Sequence, residues 1–414
     1  MAEGHIQLEL IKTTIDMSEK LDFNNTESAF EHRSTHELLK AKFLFGMLGH
    51  GWLMDLGKPF MELAFKLRIP IAPIIKKTIF SQFCGGENLE ECKISIIKLH
   101  DNGGIRSILD YSVEGAHTES GFDGNLDTLL QCCSFSQGQR HVPFLVFKPS
   151  ALGTLDLYQK VSEGLYLSPL EQAQWGRTAK RFEKICGAVA QTDSLKVMID
   201  AEESWSQPAV DRLVESMMVR FNRKRTVVFT TVQLYLAHKY EYLKELKELG
   251  DRFGIGVGVK LVRGAYMEKE AERALEKNHQ NPVCQDKSAT DLNFDMGTDF
   301  VLENLQGFEL FLGTHNELSC LRAVDKLHQL DLAPNDSRIW FGQLYGMGDN
   351  IGHIMAPKGY NVAKYVPYGP VREVMPYLIR RAKENSSVGS QSSRELQLIE
   401  RELIRRKGLE TTGT

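Results

Sequence analysis

The sequence predicts an α/β fold, a (βα)8 TIM-type barrel preceded by an N-terminal helical region. Eight short apolar or β-branched runs recur along the chain, and each ends in polar residues. Segments of helix length lie between them, which favours a parallel sheet. Eight strand–helix units is the number that closes this kind of barrel.

The first hundred residues contain helical patterns rather than strands. The apolar spacing within 35–49 and 57–69 predicts two helices, and a third helix over 87–104 is expected to stop at Gly103–Gly104. We therefore assign residues 1–100 to an N-terminal helical region.

The predicted barrel follows as residues 101–388. Its eight strands are expected at 105–114, 142–150, 195–203, 225–233, 256–266, 308–316, 338–346 and 361–369. Helical periodicity predicts helices over 168–191, 207–222, 232–250, 288–306 and 316–330.

A further helix follows the last predicted strand. Gly369 and Pro370 suit its start, while Pro376 either kinks it or restarts it. Its apolar stripe consists of Val371, Val374, Met375, Leu378, Ile379 and Ala382. Residues 389–414 are assigned to a C-terminal amphipathic helix and tail. Capping of the barrel is a better explanation of that helix than contact with an acidic membrane.

The composition is that of an ordinary globular protein, with 42% hydrophobic and 25% charged residues. A net charge of −4 gives no electrostatic argument for nucleic-acid binding. The seven cysteines form no CxxC pair, which favours reduced thiols. We find neither a targeting pattern nor an apolar run of the roughly 18 residues that span a bilayer. We expect a cytoplasmic protein and keep open a peripheral contact with an inner membrane, the mitochondrial one in a eukaryote.

Polar side chains stand where the predicted strands end, and barrel enzymes carry their catalytic groups there. Each one taken singly fits a solvated strand end, but together they predict a polar site. These residues are Glu114, Lys148, Asp200 with Glu202, Gln233, Arg263 with Tyr266, His315, Tyr345 and Tyr365.

Two kinds of chemistry can be weighed from these residues alone. Asp200, Glu202 and His315 are conceivable ligands of a divalent metal. Nearby cationic side chains such as Lys148 and Lys260 would repel that ion, so no metal site is predicted. Lys148 could also form a Schiff base, which stays open as an alternative.

Two adjacent arginines, Arg380 and Arg381, lie at the edge of the apolar stripe of the last helix. Neighbouring helical residues point about 100° apart, so the two arginines cannot both lie in the middle of one solvated face. Guanidinium groups bind a small carboxylate bidentately. Tyrosines nearby supply apolar walls with polar tips. Since no nucleophile is evident, a cofactor is expected to carry the reaction.

Five motifs resemble the signatures of the proline dehydrogenase family, and the helical N-terminal region and the C-terminal tail resemble its stand-alone form. The resemblance covers about residues 100–407, and the motifs occur in the expected order. They are "MIDAEES" (198–204), "VKLVRGAYMEKE" (259–270), "GTHNE" (313–317), "QLYGMGDN" (343–350) and "YVPYGPVREVMPYLIRRAKENSS" (365–387).

The resemblance implies roles for individual residues. Arg380 and Lys148 would bind the carboxylate of proline, and Glu114 would hold Arg380. The remaining substrate-site residues would be Tyr365 and Tyr377 as walls of the ring, Asp200 orienting Tyr365, Leu344 packing nearby and Tyr266 at the flavin edge. The residues implied to contact a non-covalent FAD are Gln233, Lys260, Val262, Arg263, Gly264, Ala265, His315, Arg381, Glu384, Ser386 and Ser387. One branch of the family carries arginine at the position of Lys260.

The implied reaction is oxidation of L-proline to 1-pyrroline-5-carboxylate by hydride transfer to N5 of the flavin. A membrane quinone would accept the electrons, and a pyrroline-5-carboxylate dehydrogenase would follow in metabolism. Hydroxyproline dehydrogenase is the nearer alternative. In that relative the residue that matches Tyr365 is smaller, so the tyrosine here favours proline. A Schiff-base lyase that uses Lys148 is the more distant one.

Overall fold

The computed structural model describes residues 21–48, 67, 70–112, 117–386 and 391–412. Its centre is a closed barrel of eight parallel strands in chain order, in which β8 pairs with β1. The strands are β1 Arg106–Tyr111, β2 Phe144–Phe147, β3 Lys196–Ile199, β4 Val228–Gln233, β5 Val257–Val262, β6 Phe308–Gly313, β7 Ile339–Leu344 and β8 Val362–Tyr368. All eight predicted strands are confirmed, and each is shorter than predicted because residues at its ends leave the ladder.

Aromatic side chains fill the interior of the barrel. Phe144 lies edge-to-face against Phe229, Phe311 and Trp340, with ring centroids 5.5, 5.4 and 5.2 Å apart. Tyr365 extends this cluster towards the carboxyl ends of the strands, with its ring centroid 6.1 Å from that of Phe311. The barrel interior is therefore a packed core, and a site is expected at its carboxyl-terminal mouth, beyond Tyr365.

Helices surround the barrel and precede it. In the described part of the chain the α-helices are α1 Thr26–Phe30, α2 Thr35–Leu48, α3 Ala72–Ile75, α4 Ser81–Phe83, α5 Leu89–Asp101, α6 Glu119–Gln137, α7 Leu155–Ser162, α8 Pro169–Ala190, α9 Gln207–Phe221, α10 Lys239–Phe253, α11 Met267–Lys277, α12 Lys287–Glu303, α13 Glu317–Gln329, α14 Asp349–Met355, α15 Met375–Ser386 and α16 Gln391–Thr412. Short helical turns of other types occupy Lys76–Phe80, Pro149–Ala151 and Ala356–Lys358.

The predicted helices are present, with two corrections to their bounds. The helix expected over 232–250 begins only at Lys239, because β4 continues to Gln233. The helix after β8 begins at Met375 and not at Pro370, so Pro376 lies in its first turn. Proline is tolerated there because its missing N–H would have no helical partner. The helix predicted over 57–69 lies outside the described residues, apart from Leu67.

The C-terminal helix α16 packs against α1 and α2 of the N-terminal region. Leu398 and Ile399 are fully buried. Arg406 donates hydrogen bonds to the carbonyl oxygens of Phe30 and Arg33, at 2.9 and 2.8 Å. The two ends of the described chain thus form one helical layer beside the barrel. Within the described ranges, no helix is long and apolar enough to cross a membrane.

Candidate active site

The polar strand ends meet at the carboxyl-terminal mouth of the barrel. Lys148 and Asp200 directly follow β2 and β3, Gln233 ends β4, and His315 comes two residues after β6. Because all eight strands are parallel, these side chains share one end of the barrel.

Asp200, Lys260 and Tyr365 form a chain of contacts at the centre of the mouth. The Lys260 ammonium pairs with the Asp200 carboxylate and lies 2.8 Å from the Tyr365 hydroxyl, to which it donates. Only 5% of Lys260 is exposed. Asp200, which was expected to orient Tyr365, reaches its hydroxyl through Lys260. Burial raises the pKa of Tyr365 well above its ordinary value, so the hydroxyl stays protonated.

Glu202 fixes the turn that carries Lys148. Its carboxylate accepts hydrogen bonds from the backbone N–H and the hydroxyl of Ser150, at 2.8 and 2.7 Å. Burial raises the pKa of this carboxyl group. Glu202 and Asp200 thus have separate partners. In the described ranges no group of three or more His, Cys, Asp or Glu side chains is arranged to hold a metal ion.

The adjacent arginines of α15 act on different parts of the mouth. Burial raises the pKa of Tyr266 well above its ordinary value, and the positive charge of Arg380 opposes that rise. The Arg381 guanidinium lies over the Tyr377 ring, 5.4 Å from its centroid. The charge of Arg381 also helps to lower the pKa of His315. The charge of Arg380 thus acts on Tyr266, and the charge of Arg381 acts on His315.

His315 is held as a neutral imidazole. Burial, followed by the charges of Lys364 and Arg381, lowers its pKa to about 3. The backbone N–H of Leu344 donates to Nε2 at 3.2 Å, so the proton of the neutral ring is on Nδ1. The buried Nδ1 atom has no hydrogen-bond partner in the described part of the chain. This buried donor is therefore available to a ligand, as far as the described residues show.

Arg263 is anchored at the end of β5. Its guanidinium donates to Asp291, Thr314 and Ser319 at 2.7, 3.1 and 3.0 Å, and it stacks over Phe294 with 4.2 Å to the ring centroid. These bonds use three of the five N–H groups of an arginine. The side chain is therefore fixed in place while it can still donate to a ligand.

Gly264 and Ala265 form an exposed stretch of backbone next to Arg263. Gly264 has φ +143°, and a Cβ there would lie 2.0 Å from the Tyr235 ring. Only glycine suits this position, on grounds of both backbone conformation and space.

The remaining predicted residues fall into three groups. Leu344 ends β7 and Val262 ends β5, both half-buried at the mouth. Glu114 and Ser387 lie outside the described residues, and Glu384 and Ser386 lie on α15. Tyr345 was expected at the mouth, but its hydroxyl is bonded to Ser95 of α5, so that prediction is wrong.

A flavin fits the polar atoms that this mouth leaves unsatisfied. Gln233 is 2% exposed, and its amide donates to the Ala201 carbonyl at 3.3 Å. The other amide atom, Oε1, has no partner among the described residues, as is the case for Nδ1 of His315. Buried polar groups are normally hydrogen-bonded, so a buried acceptor and a buried donor at one mouth indicate a polar ligand. The isoalloxazine edge of FAD offers both donors and acceptors to match them.

Sequence reasoning missed a buried charge cluster behind this mouth, made of Arg33, Asp349, Lys364 and Glu395. The one available signal was Lys364, a lysine inside the otherwise apolar and aromatic run of β8. The other members come from distant segments, and no local pattern connects them.

A closed (βα)8 barrel whose mouth gathers cationic, aromatic and unsatisfied polar groups has the architecture of a barrel enzyme. A sequence model of the family "Proline dehydrogenase" matches residues 93–394. The chain belongs to the proline dehydrogenase family and is an oxidoreductase.

Individual relatives extend this similarity over most of the chain. The carbapenem antibiotics biosynthesis protein CarD of Pectobacterium carotovorum subsp. carotovorum is 36% identical over 328 residues, which are 79% of this chain and 84% of that protein. The mitochondrial proline dehydrogenase 1 of Dictyostelium discoideum is 30% identical over 433 residues, which cover 94% and 75% of the two chains.

Among solved structures, proline utilization A from Bdellovibrio bacteriovorus has the same fold. The TM-score is 0.70 at 19% identity, and the match covers 88% of this chain. The present chain spans only 42% of the length of that protein.

Proposed function

We propose that this chain oxidises L-proline to 1-pyrroline-5-carboxylate with a non-covalently bound FAD. When bound, FAD supplies the hydride acceptor at N5. The observation that carries this proposal is that Arg380 and Arg381 are neighbours on α15, where consecutive side chains leave the helix about 100° apart. One helix could then serve both a substrate and a cofactor.

The substrate carboxylate would be bound by Arg380 together with Lys148. A guanidinium and an ammonium group in a partly buried mouth bind a carboxylate through short, charge-assisted hydrogen bonds. Glu202 supports this role because its bonds to Ser150 fix the turn after Lys148. Glu114 would hold the guanidinium of Arg380.

The proline ring would pack between Tyr365 and Tyr377, with Leu344 beside them. Both tyrosines are buried, at 8% and 5% exposure. Lys260, which pairs with Asp200, donates to the hydroxyl of Tyr365. Burial raises the pKa values of Tyr365 and Tyr266, so both phenols stay protonated and would donate hydrogen bonds without acting as bases. Their rings would exclude water.

The cofactor would lie along the other half of the mouth. Gln233 and His315 would satisfy its polar edge, and Arg263 and Arg381 would supply positive charge. The exposed Gly264–Ala265 backbone would let the cofactor approach closely, and Tyr266 would lie at the flavin edge. The further contacts would be made by Lys260, Val262, Glu384, Ser386 and Ser387.

An absorbance spectrum recorded before and after anaerobic addition of proline tests this function. The purified protein should be yellow, and addition of proline should abolish the visible absorbance band of the oxidised flavin. A colourless protein that sodium borohydride links covalently to its substrate would instead support a Schiff base at Lys148.

Substrate choice is the second part of the test. A tyrosine at position 365 would leave little room for a ring hydroxyl, so kcat/KM should be higher for L-proline than for trans-4-hydroxyproline. The reverse preference would assign the chain to hydroxyproline oxidation.

Electron transfer to a membrane quinone and supply of 1-pyrroline-5-carboxylate to a dehydrogenase would complete the function. This requires a protein in the cytoplasm, or in mitochondria of a eukaryote, that contacts the inner membrane peripherally. Reoxidation of the reduced protein by a soluble quinone analogue under anaerobic conditions tests the acceptor.

A further inference from the structure

Glu395 of the C-terminal helix reaches the loop that follows β7. This residue is 2% exposed, and its carboxylate accepts a hydrogen bond from the backbone N–H of Gly348. The loop contains Gly346 and Gly348 in left-handed conformations, with φ +75° and +61°. A backbone of this kind has few conformational restraints of its own, so contacts from outside must hold it.

Glu395 also balances charge in a buried cluster. Lys364 of β8 is completely buried, and its ammonium lies 3.3 Å from Asp349 and donates to the Met347 carbonyl. The guanidinium of Arg33 lies 3.5 Å from the same Asp349 carboxylate. Two cations therefore share one aspartate, and Glu395 supplies the second negative charge. Burial lowers the pKa of Lys364, and the negative charges of Asp349 and Glu395 both oppose that fall.

The neighbouring residue of the C-terminal helix strengthens the same attachment. Arg394 binds Glu317 in two places, with Nε–Oε1 and Nη2–Oε2 distances of 2.8 and 2.9 Å. Glu317 begins α13 two residues after His315, and it accepts a bond from Asn350 at 2.7 Å. The start of α16 is thus attached to the loops after both β6 and β7.

The loop held by Glu395 lies directly against the candidate cofactor site. A Cβ at Gly348 would be 2.9 Å from Nδ1 of His315, the buried atom that lacks a partner in the described ranges. A small displacement of Gly348 would therefore change the space and the orientation available to His315.

We propose that Glu395 is a positioning residue, which holds the loop after β7 against His315 and so shapes the cofactor-binding half of the mouth. The part of this inference that concerns the cofactor rests on the proposed function. The part that concerns the loop stands on the contacts alone.

Hydrogen–deuterium exchange of the full-length protein tests the loop. Replacing Glu395 by Ala should raise the exchange rate of the peptide that contains Gly348 by about tenfold or more, whereas peptides of β2 and β3 should keep their rates. Glu395→Gln keeps the size and an acceptor oxygen, so it should fold and give a smaller, equally local increase. The matched control is Glu400→Gln on the same helix, since the Glu400 side chain is 43% exposed and pairs with Lys42 at 3.0 Å.

FAD affinity, measured by flavin fluorescence on the same proteins, tests the consequence. The dissociation constant should rise about tenfold in Glu395→Gln and stay unchanged in Glu400→Gln, with partial rescue in Glu395→Asp. Unchanged loop exchange in Glu395→Gln and Glu395→Ala would overturn the proposal, as would a uniform loss of protection with unaltered FAD affinity. A wild-type protein that binds no FAD would refute the proposed function, and the exchange experiment would then decide on Glu395 by itself.

Discussion

Two lysine–carboxylate pairs lie inside the same barrel, one at each end. At the amino-terminal end Lys196 of β3 pairs with Glu309 of β6. The same ammonium lies 5.7 and 5.6 Å from the ring centroids of Phe144 and Phe229. At the carboxyl-terminal end Lys260 pairs with Asp200.

The surroundings of the two pairs differ. Aromatic rings cover the lower pair, Lys196–Glu309 at the amino-terminal end, which makes it part of the packed core. In the upper pair, Lys260–Asp200, the lysine also donates to the hydroxyl of Tyr365. This pair lies at the mouth, where Gln233 and His315 each have a buried polar atom without a partner among the described residues. A buried ion pair by itself does not indicate a function. What distinguishes the mouth is unsatisfied hydrogen-bonding capacity next to the pair.

The largest effect is expected from Arg380→Met. Loss of a charge-assisted contact to the substrate carboxylate should lower kcat/KM for proline about 10³-fold, consistent with a cost of about 4 kcal/mol for truncating such a contact. Flavin content should stay normal. Steady-state kinetics and the flavin-to-protein absorbance ratio measure both quantities. Arg220→Met, at a side chain that is 57% exposed, is the control. Normal turnover of proline by Arg380→Met would refute the assigned role.

Lys196→Met should separate stability from function. Breaking the lower pair leaves the Glu309 carboxylate largely buried without its counter-ion, which should lower the free energy of unfolding by about 3 kcal/mol. Urea denaturation measures this loss, and the KM for proline should not change. The double variant Lys196→Met/Glu309→Leu removes both charges and should recover much of the loss. A change in KM would mean that the lower end is coupled to the mouth.

Arg381→Met should weaken the binding of the cofactor and not the binding of the substrate. Removing this cation should raise the dissociation constant of FAD about ten- to fiftyfold, which corresponds to about 2 kcal/mol of charge-assisted bonding. Flavin fluorescence titration of the apoprotein gives this value. Variant protein saturated with FAD should retain most of its affinity for proline. An unchanged flavin dissociation constant would contradict the division of labour between Arg380 and Arg381.

The smallest effect is expected on the stability of the protein at acidic pH. His32 and His353 stack with centroids 3.6 Å apart, and burial lowers their pKa values to about 4 and about 3. The unfolded chain, with ordinary histidine pKa values near 6.5, binds protons that the folded chain does not bind. The free energy of unfolding should therefore fall as the pH drops from 6.5 towards 3. Denaturation curves of a His32→Asn/His353→Asn variant should show a flatter dependence over this interval; an identical slope would show that other groups dominate it.

The fold was largely readable from local patterns. Strand-like runs alternate with helical periodicity, and the count of eight indicates a closed barrel without any knowledge of contacts. The position of polar residues at strand ends predicted the mouth, because parallel strands bring equivalent ends together. Tyr345 was misassigned, since a position near a strand end does not say towards which neighbour the side chain turns. The start of α15 was misplaced because Pro370 and Pro376 are both acceptable in a first helical turn.

The sequence by itself therefore determined the barrel, its mouth and the placement of Arg380 and Arg381 side by side on one helix, because each depends on residue spacing along a strand or helix. Only the tertiary structure revealed that Lys260 stands between Asp200 and Tyr365, and that Glu395 holds the backbone of Gly348. These contacts join segments that are distant in the chain. Their geometry follows from how the helices and strands pack, and no periodicity records it.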